Sequence, residues 1–413
     1  MLKLVHDSGM SYVSSIQITR YHQEFTVMEY CLDLPARSVI GADARTAVAA
    51  EAQRLNFSRV LLVSDPYLEK EGRVAEIIEL LAKADITASI YTGVTTEPDT
   101  EMVTEGLEQY RQDNCHGVVA LGGGSPIDTA KTIAVMATND GPVHKFMALN
   151  AVPKPGVGVI AIPTTAGTGS ETTVAVVIAD KKTKIKMSGR DRSFVPAAAL
   201  LDYKLTMTMP SALTAAVGVD ALTHAIEAFV SKLANQSTDP FALSAINLIW
   251  NAIRNATHDG ADETARKNMM LGSFQAGIAF SNASVALVHG MSEPLGACFH
   301  VPHGLSNAML LPAVTKFSAA AAPQRYAHIA RFLQLAEPNT PDQQCCSLLV
   351  DQLFQLNRDL KLQTPAEFGV NQQEYDSMLV KMSQDTLDSG CTKHNPVVPD
   401  LNQTIQIYRN IYK

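Results

Sequence analysis

Between about residue 25 and residue 207, short apolar runs alternate with stretches of helical spacing, the grammar of a parallel α/β sheet. Val60–Val63, Ala88–Tyr91, Val118–Leu121, Val157–Ile162 and Ala197–Leu201 are mostly apolar, as expected of strands covered on both faces. Arg73–Ala84, Glu101–Gln112 and Asp128–Ala137 read as helices between them. Thr172–Ile178 and Lys184–Met187, on either side of Asp180-Lys181-Lys182, predict an antiparallel hairpin attached to that sheet. After Pro210 the β runs cease. Helical windows follow at Ser211–Leu233, Asp239–Arg254, Asp262–Ile278, Ala283–Leu295, Gln324–Leu335 and Gln343–Leu356. The pattern predicts an α/β N-terminal domain, residues 1–207, and an all-α C-terminal domain, residues 208–413, with a ligand cleft between them.

Composition narrows the classes without changing that picture. A chain of 413 residues exceeds one ordinary core, and 46% hydrophobic with 18% charged residues is the balance of a well-buried globular enzyme. A formal net charge of −8, with no Lys/Arg-rich run, argues against nucleic acid and anionic membrane as partners. Six cysteines with no Cys-x-x-Cys spacing fit reduced thiols in a cytoplasmic protein better than a disulfide framework. Met1–Arg20 lacks a continuous signal core, and no apolar run reaches the roughly 20 residues that span a bilayer.

Two constellations carry chemistry. Gly122-Gly123-Gly124-Ser125-Pro126-Ile127-Asp128 directly follows a strand and opens a helix. Its glycines let a pyrophosphate approach the backbone, and free N–H groups at the helix start attract phosphate. A common Rossmann fingerprint places an acidic residue about 20 positions after the glycines. Here the candidate acid is Asp65, at the end of an earlier strand, where it can bind ribose hydroxyls and repel the extra phosphate of NADP, or simply start a turn before Pro66. Pro163–Glu171, small and hydroxyl-rich, follows another strand and can line the same cleft, and Lys186 on the hairpin can reach a phosphate or remain solvated.

The second constellation is Asp220 and His224, four apart and therefore on one helical face, with His289 and His303, each followed by glycine. One carboxylate and three imidazoles can hold a divalent metal and leave positions open for a substrate oxygen. A single such histidine is more often structural than ligating, so the case rests on the four together.

These motifs, in order and over about Pro35–Asn395, resemble the iron-containing (group III) alcohol dehydrogenase family, whose fold is shared with dehydroquinate synthase. The resemblance implies that Asp220, His224, His289 and His303 bind the metal, Fe(II) or sometimes Zn(II). It also implies that Asp65, Gly122, Gly123, Gly124, Ser125, Asp128, Thr164, Thr165, Thr168, Lys186 and Leu205 surround NAD, and that the enzyme is a homodimer acting on a small alcohol or aldehyde. Two departures stand out. Glu293 occupies the place where many relatives carry a histidine that relays protons, with His300 nearby, and Glu97 replaces an Asn common near the adenosine. The expected activity is hydride transfer between NAD(H) and a small alcohol or aldehyde, the metal polarising the substrate oxygen, with Glu293 a relay, a determinant of substrate choice or only a polar residue at the cleft mouth. Alternatives within the fold are a hydroxyacid dehydrogenase, a transhydrogenase or a maleylacetate reductase. A dehydroquinate synthase-type lyase would use NAD only transiently.

Overall fold

Among the described residues eight strands form: β1 (Ser38–Ile40), β2 (Arg59–Val63), β3 (Thr87–Tyr91), β4 (Gly117–Gly122), β5 (Val159–Pro163), β6 (Ala175–Asp180), β7 (Ile185–Arg190) and β8 (Ala198–Leu201). The computed structural model describes residues 30–183 and 185–413. Met1–Arg20, where no signal core is expected, and Lys184, at the foot of the expected hairpin, lie outside these. Six strands pair in parallel in the order β1-β8-β5-β4-β2-β3. Alternate residues of the central strands enter opposite cores: Leu61, Val63, Val118 and Ala120 on one face, Val60, Leu62, Val119 and Leu121 on the other. Burial on both faces is why these runs carry no polar alternation.

Between the strands lie α1 (Val48–Arg54), α2 (Pro66–Lys70), α3 (Arg73–Ala82), α4 (Thr100–Gln112) and α5 (Gly124–Met136). Strand β2 leads outward to β3, whereas β4, on the other side of β2, leads to β5. The direction of winding therefore reverses between β2 and β4, and ligands of open α/β sheets bind at such a switch point, beyond the carboxyl ends of the strands.

The second half is helical: α6 (Ser211–Val230), α7 (Asp239–His258), α8 (Glu263–Ala283), α9 (Leu287–Phe299), α10 (His303–Ala319), α11 (Pro323–Phe332), α12 (Asp342–Asp359), α13 (Pro365–Phe368), α14 (Gln372–Asp388) and α15 (Leu401–Ile411). Helix α6 is buried continuously from Gly218 to Val230, packed by α7, α8 and α10. By length and composition it is apolar enough to cross a membrane, contrary to the expectation that no run is, but 83% of that window is buried inside the protein. Helices α8 and α9 meet at 102° across a break containing Ser284, whose φ is +64°. That bend puts His289 in the first turn of α9, facing α6.

Several expectations need correction. The hairpin β6–β7 is a separate two-stranded sheet, not bonded to the main one; it is held by the side chain of Asp128 on α5 instead. Strand β1 is too short for its Ser-Val-Ile to show a period. Helix α10 escaped notice because Leu305–Pro312 is buried all round, which erases the amphipathic stripe, and because Pro312 lies inside it. Helices α1, α2, α13, α14 and α15 are likewise absent from the pattern read above, although the Asp400/Gln403 capping box of α15 is visible in the sequence.

Candidate active site

The switch point opens a cavity of about 650 Å³ lined by Asp65, Gly123, Gly124, Ser125, Thr164 and Leu205, among others. Strands β2 and β4 are neighbours, with Val63 opposite Ala120, so the acid that precedes the glycines by more than fifty residues stands beside them in space. Sheet adjacency replaces sequence adjacency. Gly122 has φ +154°, and a Cβ there would lie 2.5 Å from Pro126 Cγ. A Cβ on Gly124 would meet Thr168 Cγ2 at 3.1 Å. This is a backbone cradle at the start of α5, fitted to an anion such as a pyrophosphate.

The candidate contacts divide into two groups. Gly123, Gly124, Ser125, Thr164, Thr165 and Leu205 line the cavity, and so does Asp65, which also caps α2 by accepting from the Leu68 N–H at 2.9 Å. Gly122 sets the turn, and Thr168 packs behind Gly124. Asp128 is turned elsewhere: its carboxylate accepts from Ser170 Oγ and, at 2.9 Å, from the Val177 N–H. Lys186 Nζ is 2.6 Å from Glu97 Oε1, both exposed, so the candidate contact and one of the two departures form an ion pair.

Across the helical half, Asp220, His224 and His289 form one buried cluster whose ligand atoms lie within 4.8 Å of one another. Asp220 Oδ1 stands 3.8 Å from His224 Nε2, 3.7 Å from His289 Nε2 and 3.8 Å from His303 Nε2. Three elements supply these groups: α6, the first turn of α9 and the first residue of α10. His303 closes the open side, with 45% of its side chain accessible.

The electrostatics favour a cation. Burial pushes the Asp220 carboxyl up, but His224, His303, His289 and an Asn307 hydrogen bond outweigh it and hold Asp220 below the usual range. Burial pushes His224 down to about 3. An ionised carboxylate and a neutral imidazole are the protonation states that metal ligands require. The donor set fits a divalent cation.

Sequence reading missed three partners. Glu227 receives the Val288 N–H on Oε1 at 2.6 Å and pairs its Oε2 with His289 Nδ1 at 2.5 Å. One carboxylate thus satisfies a free N–H of the α9 first turn and fixes the ring of His289. Burial alone would lower His289, yet Glu227, with help from Asp220 and Glu293, raises it. Asp220, His224 and Glu227 follow the i, i+4, i+7 spacing of one helical stripe, a signal that was available. Phe280 stacks on His224 with centroids 4.2 Å apart. Asn307, four residues after His303, reaches into the cluster. Glu293, one turn beyond His289, is on the accessible side of α9, and desolvation raises its carboxyl against the pull of His289, Lys186 and a Ser389 hydrogen bond. His300, exposed, ends α9 in the left-handed region with φ +56°.

Known proteins resemble this chain in sequence and fold. Residues 35–203 match the family described as iron-containing alcohol dehydrogenase, and residues 214–412 match the C-terminal Fe-containing alcohol dehydrogenase family. The chain belongs to the iron-containing alcohol dehydrogenase family. It is 35% identical over 378 residues to the NAD-dependent methanol dehydrogenase of Bacillus methanolicus, covering 91% of this chain and 98% of the relative. It is 35% identical over 375 residues to the lactaldehyde reductase of Escherichia coli (strain K12), covering 90% and 97%. A crystal structure of 1,3-propanediol oxidoreductase superposes with a TM-score of 0.90 at 32% identity, covering 93% of this chain and all (100%) of that one. Membership makes this chain an NAD-dependent oxidoreductase of the alcohol–aldehyde type.

Proposed function

We propose that this iron-family alcohol dehydrogenase exchanges a hydride between NAD(H), lying in the cavity beside Asp65 and Gly122–Ser125, and a small alcohol or aldehyde facing Asp220, His224, His289 and His303. The observation that carries the reading is the convergence of three imidazole nitrogens on one buried carboxylate oxygen, each within 3.8 Å. A divalent ion bound there, Fe(II) by family, supplies Lewis-acid polarisation of the substrate oxygen, and the nicotinamide carries the hydride. Everything else falls to the chain. Glu227 orients His289 and keeps its Nε2 lone pair turned inward. The apolar packing of α6, α8 and α9 excludes water behind the ligands, while the cleft mouth stays open at His303.

Glu293 is the group we assign to proton movement there, because desolvation raises its carboxyl above the usual glutamate value. Asp65 presents its free oxygen to the ribose and disfavours the phosphate of NADP. Thr168 and Asp128 act from behind the cavity, Thr168 on Gly124 and Asp128 by fixing the hairpin that carries Lys186. We set the domains at 1–207 and 208–413, and read the enzyme as a cytoplasmic homodimer.

The test follows NADH absorbance with short aldehydes, hydroxyaldehydes and ketoacids, using chelated protein and aliquots reloaded anaerobically with Fe(II) or Zn(II). Metal-dependent NADH oxidation on one class is the expected result. Tight NAD binding with no net NADH change for any substrate or metal would instead favour a lyase of the dehydroquinate synthase type.

A further inference from the structure

Hairpin β6–β7 has two unlike faces. Ala175, Val177 and Ala179 stand opposite Arg190, Ser188 and Lys186, and residues opposed in an antiparallel pair share a face. Val176, Ile178 and Met187 turn the other way, into the core of the α/β half. The first set therefore looks outward, and its neighbours are helices of the other half. Arg190 donates to the Ser281 carbonyl of α8 at 3.3 Å. Burial lowers His303 and raises Glu293, and the nearby charge of Lys186 lowers both. Lys186 thus stands on the side of the cluster that His303 leaves open. Arg190 shares its face, beside Ser281, the residue after Phe280, whose ring stacks on His224.

Arg190 is half-buried, and its backbone is fixed by the Ala148 carbonyl and the Asn150 N–H. A guanidinium carries five N–H donors in a rigid fork. Among the described residues its one acceptor is the Ser281 carbonyl, and no carboxylate pairs with it. Arg45 and Arg325, equally half-buried, each hold carboxylate partners. Lys186 on the same face is matched by Glu97, which leaves Arg190 as the unmatched charge. The surroundings are positive as well: burial, then Lys393, Arg190 and Lys232, all lower His394.

We propose that Arg190 receives a carboxylate at the far end of the substrate, so that the aldehyde reduced is an oxo-acid and the product a hydroxy-acid with hydroxyl and carboxylate at opposite ends. This rests on the hydride-transfer reading above and names its substrate class. The hydride adds to the aldehyde carbon and a proton to its oxygen. The carboxylate is unchanged and serves to bind and orient, because the guanidinium fork meets both its oxygens with two parallel N–H···O bonds. A 2-hydroxyacid fits this arrangement poorly, since its carboxylate adjoins the reacting carbon. An uncharged aldehyde leaves the fork with Ser281 alone and forfeits the discrimination that a site built around hydrogen bonds provides.

The test follows NADH oxidation by the metal-loaded enzyme with succinic semialdehyde and with butanal, its uncharged counterpart of equal carbon number. Wild type is expected to favour the semialdehyde in kcat/KM by about thirtyfold or more, chiefly through KM, with the advantage shrinking as salt is raised. Arg190→Met should erase most of that ratio, and Arg190→Lys, which keeps the charge and loses the fork, should retain part of it. Equal use of the two aldehydes by wild type, or a preference for butanal, would overturn the inference. So would a ratio that persists in Arg190→Met. If the Met variant does not fold, an undiminished ratio in Arg190→Lys together with no salt dependence in wild type counts equally against it. Wild-type enzyme that turns over neither aldehyde with any metal would bring down the hydride-transfer reading, and this inference with it.

Discussion

The nucleotide cleft and the metal cluster present polar groups from within an apolar protein by opposite means. In the cleft the working groups are backbone N–H groups at the start of α5, bared by glycines at the ends of neighbouring strands. In the cluster they are side chains, delivered by three helices and held by one another: Asp220 by Asn307, His289 by Glu227, His224 by the face of Phe280. The cleft should therefore tolerate side-chain changes but not an added Cβ, whereas the cluster should fail when any one polar atom is removed.

The contrast breaks most completely at His289. His289→Ala should lose metal and turnover together, by about a thousandfold or more, since polarisation by the ion is worth several kcal/mol. Metal analysis and assay check this, and unchanged NAD binding would show the cleft intact. Glu171, in the loop after β5 that joins the two regions, comes next. It is 2% exposed, and burial raises its carboxyl from 4.5 to about 7 against the pull of Lys131, itself lowered by burial to about 8. A carboxyl raised by folding costs nothing below pH 4.5; the cost grows as pH rises to about 7 and is constant above. Glu171→Gln should therefore gain up to about 3 kcal/mol over wild type above pH 7 and almost nothing at pH 4.5, read as the difference in thermal midpoints.

Glu227→Gln keeps the shape beside His289 but removes the charge, and should weaken metal binding by about 10–100-fold while leaving NAD affinity alone. Gly122→Ala is its mirror image. The φ of +154° and the contact with Pro126 should weaken NAD about tenfold, by a strain of about 1–2 kcal/mol, and leave metal affinity untouched. The smallest effect belongs to Asp65→Gly, which should raise NADP use several-fold. The lost helix cap costs only a few tenths of a kcal/mol, because glycine is itself tolerated there. An unchanged NAD/NADP ratio would leave Asp65 as a cap alone.

The parts of the molecule that were legible had local signatures. The central strands read as apolar runs because both faces are covered, the glycine loop because strand, turn and helix start are contiguous, and the four proposed ligands because polar residues in such apolar surroundings are expensive without a purpose. The cofactor role of Asp128 came from the family alone and that of Lys186 also from its place on the hairpin; in the structure Asp128 anchors the hairpin and Lys186 pairs with Glu97.

The chain's own pattern determined an α/β half, a helical half, a glycine turn at a helix start and a candidate set of metal donors, because periodicity and residue chemistry are properties of neighbours in sequence. Tertiary structure alone decided that Asp65 stands beside the glycines, that Glu227 serves both α9 and His289, and that Asn307 enters the cluster. Each of these is a contact between elements whose separation along the chain is unrelated to their separation in space. Strand order sets the first, the 102° break between α8 and α9 sets the second, and the docking of α10 against α6 sets the third.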